Sequence, residues 1–349
     1  MKRKMTKTVY VGNVPVGGGH PISIQSMTNT VTKDIDATIN QINALSTIGC
    51  ELIRFAVNDF EDAQAIPMIK KRISIPTIAD IQFDHRLALA AVENGIDCLR
   101  INPGNIGARW KVQEVVEKCS AFGIPIRIGV NSGSIHQKFI ERFHGVNVDS
   151  IVESALEEIN ILESMKFHDI KVSLKASNVN LCVDSYRKFS QVSDYPLHLG
   201  ITEAGPPNSG AIKSAVGIGT LLSEGIGDTI RVSLTSDPME EIFVAKEILK
   251  SLGLKKEGID IVSCPTCART KINLISMVEQ AQAYLQHQQK DLTVALMGCA
   301  VNGPGEAREA DIGIAGGNGM GIIFRKGKII KKVREDQLLD ELYREIEKL

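Results

Sequence analysis

The sequence predicts a (β/α)₈ barrel, the TIM-barrel fold, over residues 1–253, followed by a small α+β domain over 254–349. Three observations carry this prediction. Short apolar, β-branched runs alternate with amphipathic helical stretches, which calls for a parallel sheet covered on both faces. Eight such units fill roughly 250 residues, the size of a closed barrel. A doubly wound sheet would be expected to carry a glycine-rich phosphate turn after its first strand, and Gln25-Ser26-Met27-Thr28 is not one.

The elements follow in order. Thr8–Val16, broken at Gly12-Asn13, reads as a short hairpin before the barrel. The eight strands are predicted at Ile22–Gln25, Glu51–Val57, Pro76–Ile81, Cys98–Asn102, Pro125–Val130, Ile170–Leu174, Leu197–Thr202 and Thr229–Leu234. Helical stretches include Ile35–Leu45, Arg86–Glu93, Val112–Ala121, Asp149–Met165, Ser209–Ser223 and Glu240–Leu252. Gly95, Gly123, Gly225 and Gly253 follow several of these as C-cap glycines should. Asp84 is placed to cap the helix it precedes, and the triple glycine Gly17–Gly19 reads as a turn. The last barrel helix carries the chain about 20 Å from the strand ends toward the barrel's bottom. After the charged linker Gly253–Gly258 come a strand before Cys264 and a helix near Lys271–Gln288. Strands at Leu292–Met297, Asp311–Ala315 and Gly321–Phe324, a hairpin at Lys326–Lys328 and a closing helix Glu335–Leu349 complete the chain.

Composition bounds the function. The net charge is −1, too balanced for nonspecific nucleic-acid binding. No apolar run approaches the length of a membrane span, and Thr8–Pro15 is too short and broken for a signal segment. These features predict a cytoplasmic protein, and seven cysteines, an odd number, suit a compartment that keeps thiols reduced. Cys50, Cys98, Cys119 and Cys182 stand apart and read as small buried hydrophobes.

Polar residues at the strand ends are the first functional signal. Arg54, Asp80, Arg100 and Asn102, Arg127 and Asn131, Lys175, Arg231 and Ser233 all end strands, and Glu203 follows the seventh. In a barrel these positions converge on the C-terminal mouth, where such enzymes do their chemistry. Four arginines and a lysine in one mouth repel each other unless an anion joins them, and guanidinium forks match phosphate oxygens. The number of cations points to a diphosphate. Glu203 is a general acid/base or a charge-balancing partner. The second signal is Cys264-Pro265-Thr266-Cys267 with Cys299 some thirty residues on, in a Gly/Pro-rich loop. Three thiolates suit zinc or an iron–sulfur cluster. No fourth cysteine follows, and His287, in a Gln-rich helical stretch, completes no zinc-finger spacing. An incomplete thiolate set suggests a reactive centre.

The motifs Cys264-Pro265-Thr266-Cys267-Ala268-Arg269-Thr270, Met297-Gly298-Cys299-Ala300-Val301-Asn302-Gly303-Pro304-Gly305-Glu306 and Gln25-Ser26-Met27-Thr28 resemble the bacterial 4-hydroxy-3-methylbut-2-enyl diphosphate synthases of the methylerythritol phosphate route to isoprenoids. The resemblance covers essentially the whole chain in its compact form, with no departure at the motif positions. It implies a barrel followed by a cluster domain similar to a module of sulfite and nitrite reductases. It implies a [4Fe-4S] cluster held by Cys264, Cys267, Cys299 and a replaceable Glu306, with a substrate oxygen taken up at the unique iron. It implies two-electron reductive ring opening and dehydration of 2-C-methyl-D-erythritol 2,4-cyclodiphosphate, with ferredoxin or flavodoxin as donor. The family's diphosphate-binding pattern falls on Arg54, Arg100, Arg127, Asn131, Lys175, Arg231 and Ser233, and its barrel carboxylate on Glu203. The implied assembly is a homodimer in which each cluster domain caps the other chain's mouth, which also follows if that domain hangs below its own barrel. Two other readings stand beside it: a zinc-dependent phosphate-handling barrel enzyme, such as an aldolase or a pterin-type synthase, and a non-catalytic iron–sulfur sensor.

Overall fold

The computed structural model describes residues 2–255, 258–285, 288, 290–299 and 307–349 of the 349-residue chain. The chain divides into two compact units, Met1–Lys255 and Lys256–Leu349.

The first unit opens with a hairpin, β1 (Val9–Val11) and β2 (Val14–Val16). Eight parallel strands follow: β3 (Ser23–Met27), β4 (Leu52–Ala56), β5 (Thr77–Asp80), β6 (Cys98–Ile101), β7 (Ile126–Asn131), β8 (Ile170–Lys175), β9 (His198–Leu199) and β10 (Thr229–Ile230). Their order is sequential from β3 to β8, with β10 pairing both β3 and β9. A bridge between Val172 and Leu197 joins β8 to the residue before β9 and completes the ring. The last two strands are shorter than the sequence predicts. Between β8 and β9 a side chain replaces ladder bonds: Leu174 N–H donates to the Tyr186 hydroxyl at 3.1 Å, which donates to the His198 carbonyl at 2.6 Å.

Along each strand alternate residues point outward, and these build the main core. Ile24, Ile53, Phe55, Leu99, Ile128, Val172 and Leu174 are fully buried against Ile39, Ile42, Ile66 and Leu162 of the surrounding helices. Helices Ile35–Thr47, His85–Glu93, Val148–Ser164 and Pro238–Ser251 start on the capping side chains of Asp34, Asp84, Asn147 and Asp237. Two long helices, Phe60–Lys70, whose Pro67 hides the helical pattern, and Val179–Val192, and two short ones, Pro103–Ile106 and Gln137–Arg142, join those predicted. Gly123 ends helix Arg109–Phe122 in the left-handed region (φ +65°), which glycine adopts without a Cβ penalty. The hairpin has a structural task that the sequence pattern did not disclose. Its Val11 and Val16 pack on Leu52, Ile78 and Cys98 at the strands' N-terminal ends, closing the barrel's bottom with apolar side chains.

The second unit is a five-stranded sheet in the order β11 (Asp260–Ser263), β12 (Thr293–Met297), β13 (Ile312–Gly316), β14 (Met320–Arg325), β15 (Lys328–Arg334). The first three strands are parallel and the last two join antiparallel. Lys326 and Gly327, both at positive φ, form the two-residue turn between β14 and β15. Helices Leu274–Leu285 and Leu338–Glu347 contribute to one apolar core with Val294, Leu296, Ile314 and Ile323. No helix among the described residues is long and apolar enough to cross a membrane.

Candidate active site

The interior of the first unit gathers the cations named from sequence; Arg127, which the sequence pattern puts at a strand end, is instead the second residue of β7 and lies level with Lys171, deeper than the strand end. Arg54, Arg100, Arg127 and Lys175 are buried, each 8% exposed or less, although every one ends in an ionisable group on a long side chain. Asp80 lies between two of them: Arg100 Nη1 donates to Oδ1 at 3.1 Å, and Arg54 Nε stands 3.7 Å from Oδ2. Arg54 also points Nε and Nη2 at the Met27 sulfur, at 3.2 and 3.0 Å. Arg127 rests on Ser173, with Nη2 at 3.1 Å from Oγ, and its Nη1 has no partner among the described residues. Arg231 Nε lies 3.6 Å from Glu241 Oε2. Glu241 is itself fixed by Ser26 Oγ at 3.1 Å and Leu234 N–H at 3.0 Å.

Among the described residues, two carboxylates thus pair with this group of five cations. Burial, followed by Arg127, Arg231 and Arg54, pulls the Lys175 ammonium well below its ordinary range. Burial likewise pulls Arg127 down to about 10, which leaves it protonated at neutral pH. Burial alone would raise the Asp80 carboxyl, but Arg54 and Arg100 outweigh it and hold the group below its usual value. A polyanion entering here would relieve the repulsion and supply the missing acceptors.

Two glycines make room for this crowding. A Cβ on Gly129 of β7 would lie 2.7 Å from Arg100 Nε, so the guanidinium lies across the strand where that glycine leaves space. A Cβ on Gly200, after β9, would lie 2.7 Å from Lys175 Nζ and 2.6 Å from the Arg231 carbonyl oxygen. Neither glycine, nor Glu241, nor Ser173 carries a sequence signal for this role. Glu241 lies in the first turn of its helix, where a carboxylate is ordinary.

Asn131 ends β7 in register with Lys175 and is half-buried, as is Ser233, two residues beyond Arg231. Asn102 is buried and accepts Gly104 N–H at 3.1 Å, so it shapes the loop that leaves β6. Glu203 is exposed at φ +52°, on the turn after β9, and makes no ion pair among the described residues. Such a backbone is uncommon for a residue with a side chain and clusters at functional sites. His85 packs edge-on against Trp110 with ring centroids 5.2 Å apart and lies 3.4 Å from Glu114, on the helix side.

In the second unit, Cys264 directly follows β11 and Cys299 lies two residues beyond β12. These strands are parallel neighbours, so both residues emerge at the same sheet end. Gly298 N–H points at the Cys264 sulfur at 3.2 Å, and Lys271 N–H donates to the Gly298 carbonyl at 2.9 Å. Cys267 is exposed, and the backbone N–H and side chain of Arg269, with Thr270, lower its thiol, favouring the thiolate that binds metal. Among the described residues no three His, Cys, Asp or Glu side chains converge on a metal-binding geometry. Glu306, the loop 300–306 and His287 lie outside the described residues. The donor chemistry of the three cysteines, two on adjacent strand ends and one with a depressed thiol, suits iron or zinc.

Comparison with known proteins bears on both units. Residues 6–246 match the family description GcpE TIM-barrel domain, and residues 260–348 match GcpE protein C-terminal domain. A 4-hydroxy-3-methylbut-2-en-1-yl diphosphate synthase (flavodoxin) from Clostridium perfringens is 58% identical over 347 residues, 99% of each chain. Its counterpart from Fusobacterium nucleatum is 57% identical over 97% of this chain and 95% of its own. Among solved structures, a type I 3-dehydroquinate dehydratase from Clostridium difficile superposes with TM-score 0.52 at 13% identity, covering 71% of this chain and 98% of its own. The Yersinia pestis dihydropteroate synthase gives TM-score 0.51 at 11% identity, covering 70% and 98%. These last two are similar in fold alone.

Proposed function

Because the chain belongs to the GcpE family, we propose that it catalyses the reaction for which its relatives are named. It is an oxidoreductase of isoprenoid biosynthesis that forms 4-hydroxy-3-methylbut-2-enyl diphosphate, by two-electron reduction of 2-C-methyl-D-erythritol 2,4-cyclodiphosphate with ring opening and loss of water. Reduced flavodoxin, the donor in the relatives' names, supplies the electrons. The observation that carries the substrate assignment is the largely buried mouth in which, among the described residues, five cations pair with two carboxylates.

Within this reading Arg54, Arg100, Arg127, Lys175 and Arg231 hold the diphosphate oxygens, and Asn131 and Ser233 orient them by hydrogen bonds. Asp80 and Glu241 fix three of the arginines before the anion arrives. Glu203, exposed on the turn after β9, serves as a general acid/base or as a charge-balancing partner of the cations. Cys264, Cys267 and Cys299 hold a [4Fe-4S] cluster, with Glu306 as its fourth and more labile ligand. Such a cluster supplies single electrons and a Lewis-acid iron. The diphosphate residues and the thiolates lie in different units, and a head-to-tail homodimer would let each second unit serve the partner's mouth.

Anaerobic purification tests the cofactor. Iron and acid-labile sulfide, with turnover of the cyclic diphosphate by reduced flavodoxin, support the reading; a colourless zinc protein overturns it. For the assembly, a Glu306→Ala chain mixed with an Arg127→Ala chain regains one intact site per heterodimer. No recovered activity despite subunit exchange would sink the shared site.

A further inference from the structure

Below the mouth, the barrel interior departs from the usual filling of valine, isoleucine and leucine. Lys171 and Ser173 share the inward face of β8 with Lys175, and His198 lies on β9. Lys171 and His198 are each 0% exposed. Neither Lys171 Nζ nor either ring nitrogen of His198 has a hydrogen-bond partner among the described residues. Arg127 Nη1 and both amide atoms of Gln25 are buried without partners as well. Lys171 pairs in register with Arg127, and the bridge from Val172 to Leu197 sets Ser173 beside His198. The layer therefore lies directly against the residues that line the mouth. Buried polar groups of this kind need water or a charge to satisfy them. An apolar filling would be the more stable choice, so folding alone does not account for the layer.

The surroundings say what the layer responds to. Lys171 faces Cys98 on β6, Arg127 on β7 and Arg54 on β4. His198 faces Arg127, Lys171, Lys175 and Arg54. Strands β3 and β10 add the neutral Ser23, Gln25 and Thr229 and, at the mouth, Arg231. The nearby carboxylates, Asp80 and Glu241, are engaged by arginines. Burial first, with the neighbouring arginines and lysines, shifts both groups toward their neutral forms, Cys98 opposing this at Lys171. Several negative charges arriving just above would reverse that balance.

We propose that Lys171 and His198 are positioning residues that take up protons from solvent when the diphosphate binds, so that the positive charge beneath the anion rises only when the anion is present. This rests on the mouth being a diphosphate site, and it deepens that reading: affinity is coupled to protons by groups that never touch the ligand.

The test is calorimetric titration of the full chain with inorganic diphosphate near pH 7, in two buffers of different ionisation enthalpy. The wild-type chain is expected to take up protons on binding. Lys171→Met and His198→Asn should each take up fewer and bind about tenfold more weakly, with thermal midpoints equal to or above wild type. Lys175 accounts for the uptake that remains. Variants that fold and keep the wild-type uptake overturn the proposal, as does a wild-type chain that binds diphosphate without uptake. In both cases the diphosphate site itself survives. A wild-type chain that binds no diphosphate overturns the site as well.

Discussion

Gly129→Ala is the sharpest probe of the mouth, because it adds one methyl group and changes no charge. The added Cβ would sit 2.7 Å from Arg100 Nε and 3.0 Å from Nη2. Ordinary contact needs about 3.5 Å, so the guanidinium must withdraw by about 0.8 Å. Arg100 Nη1 now donates to Asp80 Oδ1 at 3.1 Å, and such a shift takes the pair beyond hydrogen-bonding range. A bond to a charged group contributes about 1.5–3 kcal/mol. A positioning error near 1 Å costs on the order of a hundredfold in rate. The expected result is a fall in kcat/KM of about that size, with a stability loss of about 1–3 kcal/mol from overpacking. Steady-state kinetics with the cyclic diphosphate and urea unfolding measure the two effects. Gly219→Ala is the control: its Cβ would meet nothing within 4 Å on helix Pro207–Ser223. It should stabilise the chain by about 0.5–1 kcal/mol and leave the kinetics alone. A Gly129→Ala enzyme with wild-type kcat/KM would show that Arg100 does not need its present position, and that the close fit of Arg100 over Gly129 does not shape the mouth.

Other perturbations have defined outcomes. Asp80→Asn leaves Arg54 and Arg100 without their counter-charge and should destabilise the fold by about 3 kcal/mol at pH 7. Because the Asp80 carboxyl is held below its usual value of 3.8, its contribution is present at neutral pH and fades as pH falls through the folded value, so the variant's deficit in urea midpoint should shrink in acid. Glu158 behaves oppositely. Burial raises it to about 7 from 4.5, although it accepts Gly104 N–H at 3.0 Å through either oxygen. Its stabilising proton is lost as pH rises through that window, worth roughly 3 kcal/mol; in Glu158→Gln the urea midpoint should therefore change less between pH 5 and pH 8. Tyr186→Phe removes the hydroxyl that joins Leu174 to His198. It should lower stability by about 1–3 kcal/mol and speed amide exchange at Leu174. Cys267→Ser should abolish iron loading, read as iron and sulfide per chain, while inorganic diphosphate binding to the barrel persists.

Much of this arrangement could be read from the sequence because a barrel converts one-dimensional order into position. Strand periodicity alone turns Arg54, Arg100, Arg127, Lys175 and Arg231 into the barrel interior, and C-cap glycines bound the helices between, but it does not show that Arg127 sits deeper than the strand ends. What escaped depends on side-chain reach. Glu241 reads as a first-turn carboxylate, yet it ties Ser26, Leu234 and Arg231 together. Gly129 and Gly200 matter for an absent side chain, visible only once Arg100 and Lys175 are seen lying over them. The hairpin Val9–Val16 shows its turn in sequence but not its partner, since Leu52, Ile78 and Cys98 come from three later strands. Helix Phe60–Lys70 is obscured by Pro67, whose missing N–H and ring crowding disfavour helix interiors.

The division of counter-charges explains how such a mouth can be both foldable and receptive. Arg54, Arg100 and Arg231 have carboxylates within 3.1–3.7 Å, and these hold their forks in place while the mouth is empty. Arg127 leans only on a neutral hydroxyl, and Lys175 forms no ion pair among the described residues. If every cation were countered, an entering diphosphate would have to displace carboxylates and would gain little beyond solvent exchange. If none were, five charges in one buried space would push the strands apart or lose their protons. Anchoring three and leaving two open gives a preorganised site with charge in reserve. The anchored arginines should therefore govern geometry and kcat, whereas Arg127 and Lys175 should govern affinity. Arg127→Met and Lys175→Met would then raise KM with a smaller effect on kcat, and Arg54→Met would do the reverse; equal losses of kcat in all three would refute the division.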